Sequence, residues 1–131
     1  MDESPQVFGC PACWPSDADA AWSSFNSLSI DHEFVDESHF MVKLRSCRKC
    51  SQQFVSAFSE TIDWSDGDDP QFWSSVPVTP AESKVLLEAG ENAVEKACAT
   101  TAARRSLCHD HPKGPARKTF WSKGLVIVAH D

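Results

Sequence analysis

The chain has 131 residues, of which 41% are hydrophobic and 24% are charged, and this composition argues against disorder along its whole length. The length is typical of one domain, so residues 1–131 are expected to form a single unit with one core. The formal net charge of −7 disfavours general affinity for nucleic acid phosphates. Residues 1–69 hold 13 acidic and 4 basic side chains, so the two halves of the chain are expected to face different surroundings.

The sequence indicates a cytoplasmic protein with no membrane association. No run of about 20 apolar residues is present, which is the length that crosses a bilayer. Residues 1–5 are acidic and have neither the basic nor the apolar region of a secretory signal. A reducing cytoplasm disfavours disulfides, so the six cysteines are expected to be thiols that are available to a metal.

The first motif in chain order is a pair of cysteines, Cys10 and Cys13, which two residues separate. This spacing lets both sulfur atoms turn toward one metal ion. A short strand over residues 7–9 is predicted to lead into the pair. Ser16 is then predicted to cap a short helix that carries Trp22 and Phe25 on its apolar face.

A second pair with the same spacing, Cys47 and Cys50, ends a segment of alternating apolar and polar residues that begins at Phe40. A β-prone run over residues 54–58 follows it. Together these segments predict an antiparallel hairpin with the second cysteine pair at its tip.

Four thiolates are the number that tetrahedral zinc requires, and we predict one structural Zn²⁺ ion per chain. Its predicted ligands are Cys10, Cys13, Cys47 and Cys50. Two alternatives use the same residues: an iron centre that carries electrons, and unliganded or redox-active thiols.

The two cysteine pairs, the second within a hairpin, resemble a zinc ribbon over residues 7–60. The resemblance implies a structural zinc site in a protein that supports transcription, translation or an enzyme, and it implies no particular task. Trp14 and Ser51 stand where zinc ribbons often have glycine after the second cysteine. The 33 residues from 14 to 46 form a long insert between the pairs.

Residues 63–80 are predicted to form a loop, because they are rich in Asp, Gly and Pro. The acidic residues lack the order of an EF-hand and are interpreted as solvated turn residues. Acidic groups beside tryptophan also suit a protein interface, although the tryptophans can instead pack over a helix. The candidate partner-binding residues are Trp64, Asp66, Asp68, Asp69 and Trp73.

The strongest helix signal follows this loop. Thr79 is a favoured N-cap residue, and Glu82 stands at the position that completes a capping box. Apolar residues recur beyond it at helical spacing, so one long helix is predicted over residues 79–107, weakened in its middle by Gly90.

The last predicted element is a C-terminal hairpin over residues 117–130, with strands at 118–121 and 125–130. The predicted fold class is therefore α+β: a metal-tipped ribbon, one long helix and this hairpin.

Two further groups of residues allow more than one functional interpretation. The first contains Cys98, Cys108, His109 and His111 and allows a second metal site, or a thiol nucleophile with a histidine base. The alternative without a functional role is that Cys98 is a buried apolar residue and that His109 and His111 are exposed. The second group is residues 104–123, with six basic side chains and two aromatic ones, which suits either nucleic acid or ion pairs with the acidic half.

We expect a small non-enzymatic zinc protein that binds a protein partner, preferably a basic one, through its acidic, tryptophan-bearing surface. No glycine-rich phosphate loop and no His-Glu-x-x-His helix supports an enzyme. A nucleic-acid-binding accessory factor that uses residues 104–123 is the second interpretation. An iron-thiolate electron-transfer protein is the third.

Overall fold

The computed structural model describes residues 7–114 and 116–131. Over these ranges, six strands form one antiparallel sheet in which spatial order follows chain order. The strands are β1 (Ser29–Glu37), β2 (Phe40–Ser46), β3 (Gln53–Glu60), β4 (Gln71–Val78), β5 (Arg105–His111) and β6 (Lys118–Lys123). The α-helices are α1 (Ala18–Phe25), α2 (Pro80–Glu88) and α3 (Ala93–Thr100). The predicted α+β class is confirmed. Residues 1–5, on which the localisation prediction partly depends, lie outside the described ranges.

One face of the sheet, here called the core face, carries the main hydrophobic core. Leu44, Val55 and Val76 lie opposite one another on three neighbouring strands and are buried there, because residues opposite one another in the register share a side. Leu86 of α2 and Ala97 of α3 pack onto them, so these helices cover the core face.

The opposite face, here called the α1 face, carries the cysteine site and a cluster of aromatic rings. Phe54 lies below the cysteines, and Trp73 and His109 follow on the neighbouring strands. Trp22 of α1 stacks on His109 with ring centroids 4.0 Å apart. α1 therefore docks over β5 and β6 and leaves the β2–β3 half of this face less covered.

α1 begins one residue later than predicted. Asp17 is its N-cap, and the Asp17 carboxylate accepts a hydrogen bond from the backbone N–H of Ala20 at 3.0 Å. The prediction of Ser16 as the cap is wrong; its carbonyl instead accepts a hydrogen bond from Trp121 Nε1. Residues 7–9, predicted as a strand, form none in the structure.

The strand β1 lies inside the long insert between the cysteine pairs. Register shifts interrupt its pairing with β2 between Ile30 and His32 and between Glu33 and Val35. These irregularities disturb the period-two pattern that would identify a strand in the sequence.

The prediction of a loop over residues 63–80 is wrong for 71–78, which form β4 in the middle of the sheet. Pro77 is tolerated because it lies beyond Ser75, the last residue of β4 that pairs with β5. The carbonyl of Pro77 accepts a hydrogen bond from Arg104 Nη1 at 2.9 Å, so a side chain replaces the missing strand partner.

The single helix predicted over 79–107 is wrong as a continuous element: it is divided into α2 and α3, and its last residues belong to β5. Its start is confirmed, because Thr79 and Glu82 exchange both hydrogen bonds of a capping box, at 3.1 and 2.8 Å. Gly90 then adopts φ +61° in a 3-10 turn that separates α2 from α3. Residues 105–111 form β5, because pairing with β4 and β6 overrides the local helical pattern.

The predicted C-terminal hairpin is wrong, although its first strand, residues 118–121, is confirmed within β6. β6 pairs with β5, while residues 125–131 form no strand. Leu125 is buried in the core, and the backbone N–H of Val126 donates to Ser74 Oγ at 2.9 Å. The apolar C-terminal segment therefore serves as cover for the core face. None of the helices in the described part of the chain has the length and apolar character to span a bilayer.

Candidate metal centre

The four predicted cysteines come together at one end of the sheet, with their sulfur atoms all within 4.8 Å of one another. The Sγ–Sγ distances are 3.8 Å for Cys10–Cys13, 3.9 Å for Cys10–Cys47 and 3.7 Å for Cys13–Cys50. A tetrahedral ion with metal–sulfur bonds of about 2.3 Å places its sulfurs about 3.8 Å apart, whereas a disulfide joins them at about 2.0 Å. The thiols are therefore free and fit one tetrahedral metal ion.

The second cysteine pair forms the tip of the β2–β3 hairpin, as predicted. Ser46 and Gln53 are the last paired residues of the two strands. The turn is closed by two backbone hydrogen bonds at 2.9 Å, from Cys47 N to the carbonyl of Gln52 and from Ser51 N to the carbonyl of Cys47. This closed turn holds Cys47 and Cys50 on one side of the hairpin tip.

Gln52 connects the first cysteine pair to the hairpin. Its side-chain oxygen accepts a hydrogen bond from Gly9 N at 2.9 Å, and its nitrogen donates to the carbonyls of Gln53 and Val78 at 2.8 Å. The first turn is closed by Trp14 N, which donates to the carbonyl of Cys10 at 2.8 Å. The relative position of the two cysteine pairs is thus set by a side chain as well as by any bound ion.

The cysteine site is bounded on one side by buried hydrophobic side chains, and on the other side backbone N–H groups lie close to the sulfur atoms. Cys13 and Cys47 are 5% and 6% exposed and form a buried cluster with Phe54, on which Trp14 packs with ring centroids 5.2 Å apart. The backbone N–H of Lys49 lies 3.3 Å from Cys47 Sγ. These contacts suit a structural ion held between a hydrophobic floor and hydrogen-bonded thiolates.

The pKa values of the cysteine thiols differ, because hydrogen bonds and burial act on them in opposite directions. Backbone N–H groups of Cys13 and Ala12 donate to the sulfur of Cys10 and lower its pKa to about 7. Burial raises the pKa of Cys13 and of Cys50. A divalent cation at the centre would favour the thiolate form of all four residues.

The two departures from the ribbon pattern are explained by the backbone. Ser51 adopts φ +67°, the conformation for which glycine is favoured, and it is the single non-glycine residue with positive φ among those described. Trp14 has no positive φ and needs no glycine. In the first turn the positive φ falls instead on Gly9, at +71°, directly before Cys10.

We expect Ser51→Gly to stabilise the metal-loaded protein by about 0.5 kcal/mol. A left-handed residue with a Cβ atom costs roughly 1–2 kcal/mol, and the extra freedom of glycine in the unfolded chain offsets roughly 0.5–1 kcal/mol of this. Urea denaturation would measure the difference, with Ser51→Ala as the control that keeps the Cβ atom. A Ser51→Gly protein that is less stable than Ser51→Ala would contradict this explanation.

The second ligand-rich group does not assemble. Cys108 is buried on the core face against Ser74, while His109 lies on the opposite face and contacts Thr119 Oγ1 at 2.8 Å through Nδ1. The expectation of exposed histidines is wrong for His109, which is 8% exposed because Trp22 of α1 stacks on it. Burial raises the pKa of Cys108, which disfavours a reactive thiolate. Within residues 7–114 and 116–131, the two cysteine pairs are the one group of three or more Cys, His, Asp or Glu side chains close enough to share an ion.

The loop between β3 and β4, residues 61–70, is here called the acidic loop, and its own carboxylates order it. Asp63 accepts hydrogen bonds from the backbone N–H groups of Ser65 and Asp66 at 3.1 and 3.2 Å. Lys113 Nζ lies 2.9 Å from Asp63 Oδ2 and 2.8 Å from Asp66 Oδ2. Asp68 and Asp69 accept backbone hydrogen bonds at 3.1 and 2.7 Å. The interpretation of these residues as solvated is therefore incomplete, because they also shape the loop.

The structure places the two candidate tryptophans in different surroundings. Trp64 is 85% exposed on the acidic loop. Trp73 is half-buried on β4, where its ring packs against Trp22 and Phe58 with centroids 5.4 and 5.0 Å away. Trp73 thus contributes to the packing of α1, and Trp64 is the exposed aromatic side chain of the loop.

The basic residues 104–123 are divided between ion pairs and aromatic contacts. Arg104 makes two hydrogen bonds to the Glu82 carboxylate, at 2.8 and 3.0 Å, and Lys113 pairs with the acidic loop. Arg105 lies 3.8 Å from the ring centroid of Trp121 and 5.3 Å from that of Trp14. Part of this positive charge therefore balances the acidic half.

Comparisons of the chain with protein-family models, with curated proteins and with solved structures each gave no match. The likeness to a zinc ribbon thus lies in the four cysteines and the hairpin that carries two of them.

Proposed function

We propose that this protein is a small, non-enzymatic zinc-binding module that recruits a protein partner. The observation that carries the metal assignment is the group of four sulfur atoms at tetrahedral spacing. Four protein thiolates close the coordination shell, which is typical of structural zinc and leaves no position for a substrate. Six free thiols also suit the reducing cytoplasm, where we place the protein.

The proposed role of zinc is to tie the first cysteine pair to the tip of the β2–β3 hairpin. Cys10 and Cys13 precede α1, and Cys47 and Cys50 follow β2, so one ion would close the segment that contains α1, β1 and β2. An iron ion on the same ligands is the electron-transfer alternative, which would give the protein a visible colour.

We assign partner binding to the acidic loop, with Trp64 as its anchor. A tryptophan that is 85% exposed offers a large apolar surface, and tryptophan is enriched among residues that dominate binding energy. The contacts of Asp63 and Lys113 order the loop before binding, which reduces the entropy lost on association. Neighbouring carboxylates would attract a basic partner and raise the association rate.

We expect Trp64→Ala to accelerate dissociation of the partner by roughly tenfold or more, because a central aromatic anchor contributes about 2 kcal/mol or more. Pull-down from the native cell extract would supply the partner, and binding kinetics would measure the rates. Asp66→Asn should mainly slow association, with an effect that fades as salt screens the charge.

Val85→Ala is the control for Trp64→Ala, because Val85 is 53% exposed on α2, away from the loop. Equal dissociation rates for the two variants would contradict the assignment. Retention of partner by Trp64→Ala together with its loss in Arg117→Gln or Lys118→Gln would favour the nucleic-acid interpretation, provided that nuclease treatment releases the captured molecule.

A further inference from the structure

A cavity of about 260 Å³ opens on the α1 face, beside the C-terminal end of α1. α1 lies over β5 and β6, so the β2–β3 half of this face is not sealed. Its walls include Phe25, Met41, Lys43, Arg45, Phe58 and Trp73. This cavity is separate from the four cysteines and from the acidic loop.

The cavity has an apolar end that follows from the strand register. Met41, Phe58 and Trp73 lie opposite one another on β2, β3 and β4 and form one row across the sheet. Phe25 of α1 closes the cavity from above and is itself buried. Aromatic walls of this kind favour a flat apolar group.

The other end of the cavity is cationic. Arg45 Nε donates to Ser56 Oγ at 2.9 Å, and its guanidinium carbon lies 4.5 Å from the ring centroid of Phe25. Among the residues that the structure describes, no carboxylate lies within 4.0 Å of Arg45. Burial lowers the pKa of Arg45, but a guanidinium still keeps its charge at neutral pH.

Lys43 adds a second cation in the neighbouring row, opposite Ser56. Its side chain is 17% exposed, and its Nζ lies 3.7 Å from Glu33 Oε2, which is longer than a hydrogen bond. The Glu33 side chain is 46% exposed, so solvent screens its charge and it neutralises this end of the cavity only in part. Two partly buried cations therefore share a space that contains no acidic wall residue.

We propose that this cavity binds a small organic acid: a flat apolar body that bears one carboxylate. The carboxylate would lie between Arg45 and Lys43, where a guanidinium can donate two parallel hydrogen bonds. The apolar body would occupy the row of Met41, Phe58 and Trp73. A volume of about 260 Å³ equals roughly nine water molecules, which is enough for one aromatic ring and its substituent.

The test uses the full, metal-loaded chain and three probes: benzoate, its neutral analogue benzamide, and inorganic phosphate. Calorimetry would give affinities, and ¹⁵N NMR would follow Arg45 Nε and the indole N–H of Trp73. We expect benzoate to bind at least roughly tenfold more tightly than benzamide or phosphate, because only benzoate satisfies both ends of the cavity.

Arg45→Gln should weaken benzoate binding roughly 10- to 100-fold, since a charge-assisted hydrogen bond contributes about 1.5–3 kcal/mol. Lys118→Gln, which removes an exposed cation from β6, should leave it unchanged. Lys43→Gln provides a second variant in case Arg45→Gln does not fold, and it should weaken binding in the same direction.

The proposal is overturned by no detectable binding of benzoate at roughly millimolar concentration, by equal affinity for benzoate and benzamide, or by binding that persists in both cavity variants. Tighter binding of phosphate than of benzoate would also overturn it, because the apolar end would then have no role.

Discussion

Replacement of Cys13 or Cys47 by serine is expected to abolish stoichiometric zinc binding and to unfold the protein near ambient temperature. Both thiols are almost fully buried beside Phe54, so a serine would leave an unsatisfied hydroxyl there as well as an incomplete metal shell. Structural zinc contributes an apparent free energy of about 10–16 kcal/mol in small domains, which is as large as the typical net stability of about 5–15 kcal/mol.

Elemental analysis of the purified protein should find one zinc per chain in the wild type and none in either variant. Circular dichroism during heating would measure the loss of the folded state. Cys98→Ala is the matched control, because Cys98 is a half-buried thiol outside the site whose sulfur lies 3.9 Å from the carbonyl of Leu125. This control should keep its zinc and lose about 1 kcal/mol of stability.

The zinc assignment fails if Cys13→Ser and Cys47→Ser keep the metal content and melting temperature of the wild type. Iron-type visible absorption in the native protein would replace zinc with iron and favour the electron-transfer alternative.

Gly9→Ala is expected to cost more than about 3 kcal/mol and to weaken zinc affinity by roughly tenfold or more. An added Cβ atom would lie 2.9 Å from Cys13 Sγ and 2.7 Å from Trp14 Cβ, which is closer than real Cβ contacts. Relief of this clash must move a ligand sulfur or the Trp14 ring, and either movement distorts the site.

Gly67→Ala is a closely matched control, because Gly67 has the same φ of +71° and no atom within 4 Å of an added Cβ. It should show the backbone cost alone, about 1–2 kcal/mol, with zinc affinity unchanged. Urea denaturation and competition with a zinc chelator would measure the two quantities. Equal effects of the two substitutions would show that the contact with Cys13 is unimportant.

The β2–β3 hairpin and the start of α2 could be predicted from the sequence, because both depend on residues close together in the chain. The two-residue spacing within each cysteine pair, and the β-prone segments on both sides of Cys47 and Cys50, predicted the hairpin and the site at its tip. The capping box of Thr79 and Glu82 was equally local and is present at the start of α2. Bonds within a few residues decide the conformation of the hairpin tip and of the helix start, whereas the approach of Cys10 and Cys13 to that tip depends on the distant contact between Gly9 and Gln52.

Other features depended on partners that are distant in the chain. Residues 105–111 became a strand because β4 and β6 offer hydrogen bonds on both sides, and Gly90 ended the helix that the apolar spacing would have continued. Residues 125–131 form no strand, and Leu125 and Ile127 instead pack against the core. Pairing and burial over such distances outweigh local propensity, which differs by less than about 1 kcal/mol per residue.

The surfaces were decided by tertiary structure for the same reason. Trp64 and Trp73 are nine positions apart and looked equivalent, yet one is exposed on the loop and the other is packed between α1 and the sheet. The alternating pattern of β2 predicts that Arg45 lies on the polar side of the strand. The cationic cavity forms because Phe25 of α1 packs over Arg45. Burial is a property of what the rest of the chain places nearby, and no local pattern specifies it.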